Sequence, residues 1–585
     1  MRFWRPWMLT RAIGATAFAA SLTIGSATSH AQFPAVFELS SLDGSNGFVI
    51  NGILSGDNAG FSVSGAGDFN GDGIDDLIIG AFGANRNVLG TAGASYVVFG
   101  SNGGFSSSFN LSSLNGTSGF VINGIEDSDN SGFSVNVAGD VNGDGIDDLI
   151  IGARYADPNG NNMAGESYVV FGSNGGFSSS LNLSGLNGTD GFVINGIGSG
   201  DRSGRSVSGV GDVNGDGIDD LIIGAPYADP NGNRDAGTSY VVFGSNGGFP
   251  SSLNLNGLDG TNGFQINGFD ADDISGFSVS GAGDVNGDGI DDFIIGAIGG
   301  DPSGNRNAGE SYVVFGRNGG FSSSLNLSSL DGANGFRIYG IDAGDSSGAS
   351  VSAAGDVNGD GIDDLIIGAF YNNGAGASYV VFGSTGGFSS SLNLSSLVGT
   401  NGFVINGIDT GELSGFSVDG AGDINGDGID DLIIGAYRAD PNGNNSAGAS
   451  YVVFGSDSGF SSSLDSSGLD GTDGFVIYGI SSGDRSGQSV RGAGDVNGDG
   501  SDDFIIGAPG AGNAGAGASY IVFGRAASDT LKGDVDLDGD VDFLDIAPFI
   551  AVLASGGFQA EADVDCSEVV DFLDIQPFIE ILSGN

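Results

Sequence analysis

Aspartate is the residue most able to do chemistry in this chain, and it recurs in a fixed phrase. Asp-x-Asn-Gly-Asp-Gly-x-Asp-Asp occurs seven times, beginning at Asp68, Asp140, Asp212, Asp284, Asp356, Asp423 and Asp495, and each copy runs into an apolar stretch. Oxygen donors at alternate positions let a short loop wrap a hard divalent cation, and Ca²⁺ accepts carboxylate, amide and carbonyl oxygens together. In the first copy the expected ligands are Asp68, Asn70, Asp72, the carbonyl of Ile74, and Asp76, at positions 1, 3, 5, 7 and 9. Gly73 permits the sharp turn, and Asp75 at position 8 is expected to face outward.

The other copies repeat the set. They are Asp140, Asn142, Asp144, Ile146 and Asp148; Asp212, Asn214, Asp216, Ile218 and Asp220; then Asp284, Asn286, Asp288, Ile290 and Asp292. Asp356, Asn358, Asp360, Ile362 and Asp364 follow, then Asp423, Asn425, Asp427, Ile429 and Asp431, and finally Asp495, Asn497, Asp499, Ser501 and Asp503. Position 12 carries no carboxylate (Ile79 stands there in the first copy), so these loops are not EF-hands, although their first half is like one.

Five of the six spacings between copies are 72 residues and one is 67, the regularity of a repeat architecture. Each unit offers four strand-like runs, in the second Gly119–Ile125, Gly132–Ala138, Asp148–Ala153 and Ser167–Gly172, separated by Gly, Asp, Asn and Ser clusters. Four strands per unit of about 70 residues fit a propeller blade, whereas parallel solenoid coils have much shorter periods. The fold class expected is all-β, a seven-bladed β-propeller, followed by a small helical domain. The first strand, Gly47–Ile53, and the last, Ser519–Gly524, are out of phase with the unit. Ring closure resolves this by making residues 47–53 the outer strand of the blade built from residues 487–524.

Bulk composition removes several function classes. Arg2, Arg5 and Arg11, the apolar stretch after them and Ser29-His30-Ala31 have the form of an export signal over residues 1–31. No later run is long enough for a transmembrane anchor. That segment holds three of the sixteen basic residues, no acid and the only histidine, so the rest has a formal charge of −59 against −56 for the whole. Such a chain repels nucleic acid and anionic lipid. Seven bound Ca²⁺ would reduce the charge to about −45. Without histidine no Ser-His-Asp triad or histidine-ligated zinc can form, and with Cys566 alone there is no internal disulfide, which leaves bound cations as the brace of an exported protein.

The units read Gly-x-Ser-Val…Gly-Asp-x-Asn-Gly-Asp-Gly-x-Asp-Asp-Leu-Ile-Ile-Gly-Ala-Pro, clearest at residues 203–226. This resembles the FG-GAP repeat of integrin α-subunit propellers over residues 37–524. The resemblance implies a seven-bladed propeller with Ca²⁺ between the first and second strands of a blade. In integrins only some blades bind the ion, whereas all seven loops here keep the ligands. Phe61 is replaced by Arg205, Ala349 and Gln488 in the third, fifth and seventh units, which is expected to touch packing only.

After a linker at 528–532 comes a duplicated unit, Phe543–Ile550 and Phe572–Ile579, with helical spacing. Asp534, Asp536, Asp538, Asp540, Asp542 and Asp545 fill an EF-hand-like loop, Asp540 through its carbonyl, and residues 533–582 resemble a type I dockerin. The second loop keeps Asp563, Asp565, Asp571 and Asp574, with Ser567 and Glu568 in place of the expected Asp and Gly. Expected domains are therefore a signal peptide at 1–31, a propeller at 32–527, the linker, and a dockerin-like domain at 533–585 binding one or two further Ca²⁺. The function expected is a secreted or cell-surface, non-catalytic, ligand-binding or adhesion propeller. Its ligand is an extracellular protein or polysaccharide, held on the loops joining strands 2–3 and 4–1, and the tail meets a cohesin-like or envelope protein. A structural matrix protein, or a polysaccharide-acting enzyme in a dockerin–cohesin complex, are the alternatives.

Overall fold

A computed structural model describes residues 33–85 and 90–525. The expected signal segment, linker and dockerin-like domain, with Asp534 to Asp574, lie outside the described residues. The described chain forms seven five-stranded sheets, each one blade, and no α-helix. In the first blade the strands run outward as Ser62–Gly67, Asp76–Ala81, Ala94–Val98 and Gly119–Asn123, antiparallel throughout. A fifth strand, Ser180–Asn182, then adds in parallel from the following repeat. Four strands per unit were legible; the three-residue fifth was not, since Ser-Leu-Asn after a glycine turn has the composition of a loop.

Each repeat of the chain thus serves three blades. Ser108–Asn110 edges the seventh, Gly119–Asn123 is the fourth strand of the first, and Ser134–Gly139 opens the second. The same offset closes the ring. Gly47–Asn51 pairs antiparallel with Ala518–Val522 as the fourth strand of the last blade. Val36–Glu38 lies in parallel on Gly474–Tyr478 as the fifth strand of the sixth. Phe33-Pro34-Ala35 stands where later repeats carry a turn ending in phenylalanine, and Phe33 stacks on Phe475 at 4.4 Å as Phe249 stacks on Phe192 at 4.2 Å.

The pleat explains why the blades stick together. In the fully buried second strand of the first blade, Leu77 and Ile79 pack toward Ile505 and Val496 of the seventh blade, while Ile78 packs toward Leu149 and Ile151 of the second. Both faces are covered, so the strand reads as a continuous apolar run. Inner strands such as Ser62–Gly67 (SVSGAG) are built of small residues because seven of them converge on one axis. Ser489 Oγ accepts from the Val63 amide at 3.2 Å, and the same bond joins each inner strand to the next, as with Ser62 and Val135.

Residue three of the inner strand faces the central channel, a cavity of about 560 Å³. Ser64, Asn136, Ser208, Ser280 and Ser352 occupy this position in five blades, and Ser64 Oγ donates to Asn136 Oδ1 at 2.8 Å. The sixth and seventh carry Asp419 and Arg491, an ion pair at 2.8 Å with both side chains mostly buried. Asp419→Ser should therefore strand a buried guanidinium and cost about 3 kcal/mol, while Asp419→Ser with Arg491→Ser, the residue of four other blades, restores most of it. Chemical denaturation of both variants measures the recovery.

Candidate metal centres and the opposite face

The seven acidic loops lie at one end of the ring, joining each inner strand to its second strand. Their aspartates play three distinct parts. Position 1 organises the turn: Asp68 accepts from the Asp72 and Gly73 amides at 2.8 Å each, and Asp495 accepts from Asp499 and Gly500 at 3.0 and 2.8 Å. At position 5, Asp72 Oδ1 accepts from the Ile74 amide at 3.1 Å. Gly73 sits at φ +87°, a conformation an L-side chain strains to adopt.

Position 9 is buried. Asp76, Asp148, Asp220, Asp292, Asp364, Asp431 and Asp503 show no exposed surface, each opening a second strand. Asp76 Oδ1 accepts from the Gly100 amide at 2.8 Å, and both its oxygens lie 3.1 Å from Asn70 Nδ2. Burial pushes these carboxyls up, to about 8 in Asp76, Asp148, Asp220, Asp292 and Asp364 and about 9 in Asp503, with the charge of the position-5 aspartate adding to it.

Asp75 does not face outward. Its Oδ2 accepts from the Asp495 amide at 2.9 Å, and Asp147 does the same for Asp68 at 2.9 Å, so position 8 of each loop reaches position 1 of the preceding blade. The seven bonds close a ring around the channel. A Cβ on Gly67 would fall 2.2 Å from Asp147 Oδ2, which is why the residue before each phrase is glycine.

Among the described residues no three carboxylates converge as a preformed cluster. The donor chemistry still fits a hard cation. A half-turn of the Asn70 amide puts Oδ1 where Nδ2 lies, 3.1 Å from the Asp76 oxygens. Two oxygens at about 2.4 Å from one Ca²⁺, at right angles, stand about 3.4 Å apart. A divalent ion would also hold the buried position-9 carboxylates ionised at neutral pH, where burial alone leaves them protonated.

The opposite end carries the loops between strands 2–3 and 4–1. They interlock: the Ser131 amide donates to Ala92 O at 3.0 Å and the Tyr155 amide to Asp129 O at 3.2 Å. The ADPNGN segments are rigid, with Pro158–Gly160 a 3₁₀ turn and the Met163 amide on Asp157 Oδ1 at 2.6 Å; Asp301 repeats that bond in the fourth blade. Two buried carboxyls at this end, Asp129 and Asp273, are raised to about 7, chiefly by burial, with Glu166 and Glu310 adding negative charge beside them. A raised carboxyl stabilises the fold when protonated and loses that contribution as pH rises through its folded value. In saturating Ca²⁺ the melting temperature is therefore expected to fall by a few degrees between pH 5.5 and 8, and Asp129→Asn with Asp273→Asn should flatten the slope.

The repeat symmetry breaks at this end. Arg205 stands where Phe61, Phe133 and Phe277 stand in other blades, and its guanidinium lies 3.6 Å over the Phe277 ring. The substitution was visible in the sequence, but its partner Arg154 lies 51 residues away and only the ring brings the two together.

A closed ring of seven blades, each with an acidic loop at the same end, defines a seven-bladed β-propeller. The FG-GAP repeat model matches seven segments, 59–98, 131–170, 203–242, 275–314, 347–381, 414–453 and 486–522, so the chain carries seven FG-GAP repeats. It is similar to integrin alpha-PS2 of Drosophila melanogaster (31% identity over 183 residues, 30% of this chain and 12% of that protein). It also resembles integrin alpha pat-2 of Caenorhabditis elegans (37% over 106 residues, 17% and 8%) and integrin alpha-5 of Xenopus laevis (29% over 233 residues, 38% and 19%). The aligned segment spans less than a fifth of each of these relatives. Among the described residues no helix is long and apolar enough to cross a membrane.

Proposed function

We propose that this chain is an exported, Ca²⁺-braced propeller that binds an extracellular ligand on its 2–3 and 4–1 loops and performs no catalysis. The observation that carries the reading is the division of labour between the two ends of the ring. One end repeats the same acidic loop seven times without variation in its ligands, while the other holds rigid, interlocked loops whose residues differ from blade to blade. Integrin-like adhesion supports the same assignment through the FG-GAP repeats. Each acidic loop takes Ca²⁺ through positions 1, 3, 5, 7 and 9, which makes the acidic end a brace and leaves the other for recognition.

The dockerin-like tail is the attachment module in this reading, with Asp534 and Asp545 as the ends of its first Ca²⁺ loop. The test is a screen of the Ca²⁺-loaded full chain against immobilised matrix proteins, envelope material and polysaccharides. Specific capture that loop exchange between blades at the 2–3 end abolishes, and that an Asp534→Ala chain retains, is the expected result. Capture lost only with Asp534→Ala would move recognition to the tail.

A further inference from the structure

Three arginines meet at the channel mouth where the second, third and fourth blades come together. Arg154 lies 3.5 Å over the Phe133 ring and 4.5 Å from Tyr155, Arg202 lies 4.5 Å over Tyr227, and Arg205 lies 3.6 Å over Phe277. None of the three makes an ion pair among the described residues, although the chain carries 72 acidic residues against 16 basic ones. Arg154 Nε is buried with no hydrogen-bond partner. Burial lowers both Arg154 and Arg205, with repulsion from Arg202 adding to it at Arg154 and repulsion from Arg154 at Arg205, which falls to about 10. Clustered, partly desolvated guanidinium groups without a counter-charge are costly; Arg205 has the Tyr227 hydroxyl as a hydrogen-bond partner, but stacking on rings leaves the Arg154 Nε–H edge unsatisfied.

A planar bidentate anion satisfies such edges, and a carboxylate has that shape. The ligand is not a polyanion, because a net charge of −56 repels one at long range. It is an isolated carboxylate on a mainly neutral molecule. Beside the arginines the half-buried rings of Phe61 and Phe82 pack against Phe133, at 5.0 and 5.9 Å. Aromatic faces next to a few charged groups suit a sugar ring, whose C–H face stacks while its acid group is held. An aspartyl or glutamyl side chain would leave those faces unused. We propose that Arg154, Arg202 and Arg205, with the rings around Phe133, form a binding site for the carboxylate of a uronic acid sugar. This rests on the ligand-face reading above and names the chemistry of that face.

The repeats supply variants that the fold already accommodates. Arg205→Phe restores the residue of four other blades at Phe61, Phe133, Phe277 and Phe416, and Arg154→Phe that of Phe82 and Phe370. Calorimetric titration of the Ca²⁺-loaded full chain with glucuronate is expected to show binding that the double variant weakens about tenfold or more, with an unchanged melting curve. Arg205→Lys, which keeps charge and loses the planar fork, weakens it severalfold and covers the case of a misfolded double variant. Glucose gives no heat and acetate binds more weakly than glucuronate. Equal affinity in parent and double variant, or no glucuronate binding, overturns the site. An aspartate-containing peptide that binds more tightly than glucuronate overturns the sugar assignment. Specific capture in the matrix screen together with a flat glucuronate titration would remove this site and leave the ligand-face reading intact.

Discussion

In a chelator the full chain is expected to melt about 10–20 °C below its Ca²⁺-saturated value. A ligand at about 100 times Kd that binds only the folded state stabilises it by about 2.7 kcal/mol per site, and there are seven loops of one design. For a ring of this size roughly 1 kcal/mol moves Tm by about 1 °C. Without the ion each loop holds a buried position-9 carboxyl near its position-5 neighbour, whose charge adds to burial in disfavouring ionisation. Asp72→Ala should remove about one seventh of the effect, because one loop is lost and six remain. Calorimetric scans with Ca²⁺, with EDTA and after Ca²⁺ is restored make the measurement. A melt that EDTA leaves unchanged would remove the brace from the model of this protein.

The second large effect concerns closure. Removing residues 33–51 takes the fourth strand from the seventh blade and the fifth from the sixth, and with them the buried side chains of Phe33, Phe37, Phe48 and Ile50. Each large core side chain contributes about 3–5 kcal/mol, and a typical domain has only about 5–15 kcal/mol in all. The strand Ala518–Val522 would also present an open edge, a template for pairing with another copy. The truncated chain is expected to aggregate. Phe48→Ala, which empties the site between the first and last blades, should cost about 3–5 kcal/mol and leave the chain soluble. Light scattering reads the first result and denaturant titration the second; a monomeric truncated chain with a normal melt would refute closure by the N-terminal strands.

Much of this molecule was legible as sequence because its information is local and repeated. The acidic phrase recurs at a fixed spacing, an apolar run follows it, and glycine and asparagine turns separate the strands. These features determine four strands per unit, seven units, the loop that each cation would occupy and the phase mismatch that requires a ring. The fifth strand was not legible, because three residues carry no periodicity and their partner lies in another repeat. Position 8 was misread for a similar reason. Within one loop Asp75 has no partner, and only the closed ring brings the Asp495 amide to it.

The same holds at the opposite end. Arg205 in one repeat looked like a packing change. Side chains that alternate along a strand reveal which face they share, but not which residue of a neighbouring blade they meet. Sequence by itself determined what each blade is made of, since that depends on hydrogen bonds and turns made within a few residues. Only the tertiary structure decided what the blades make together, the Asp419–Arg491 pair in the channel and the arginine cluster at its mouth, because those contacts exist only where seven similar surfaces converge on one axis.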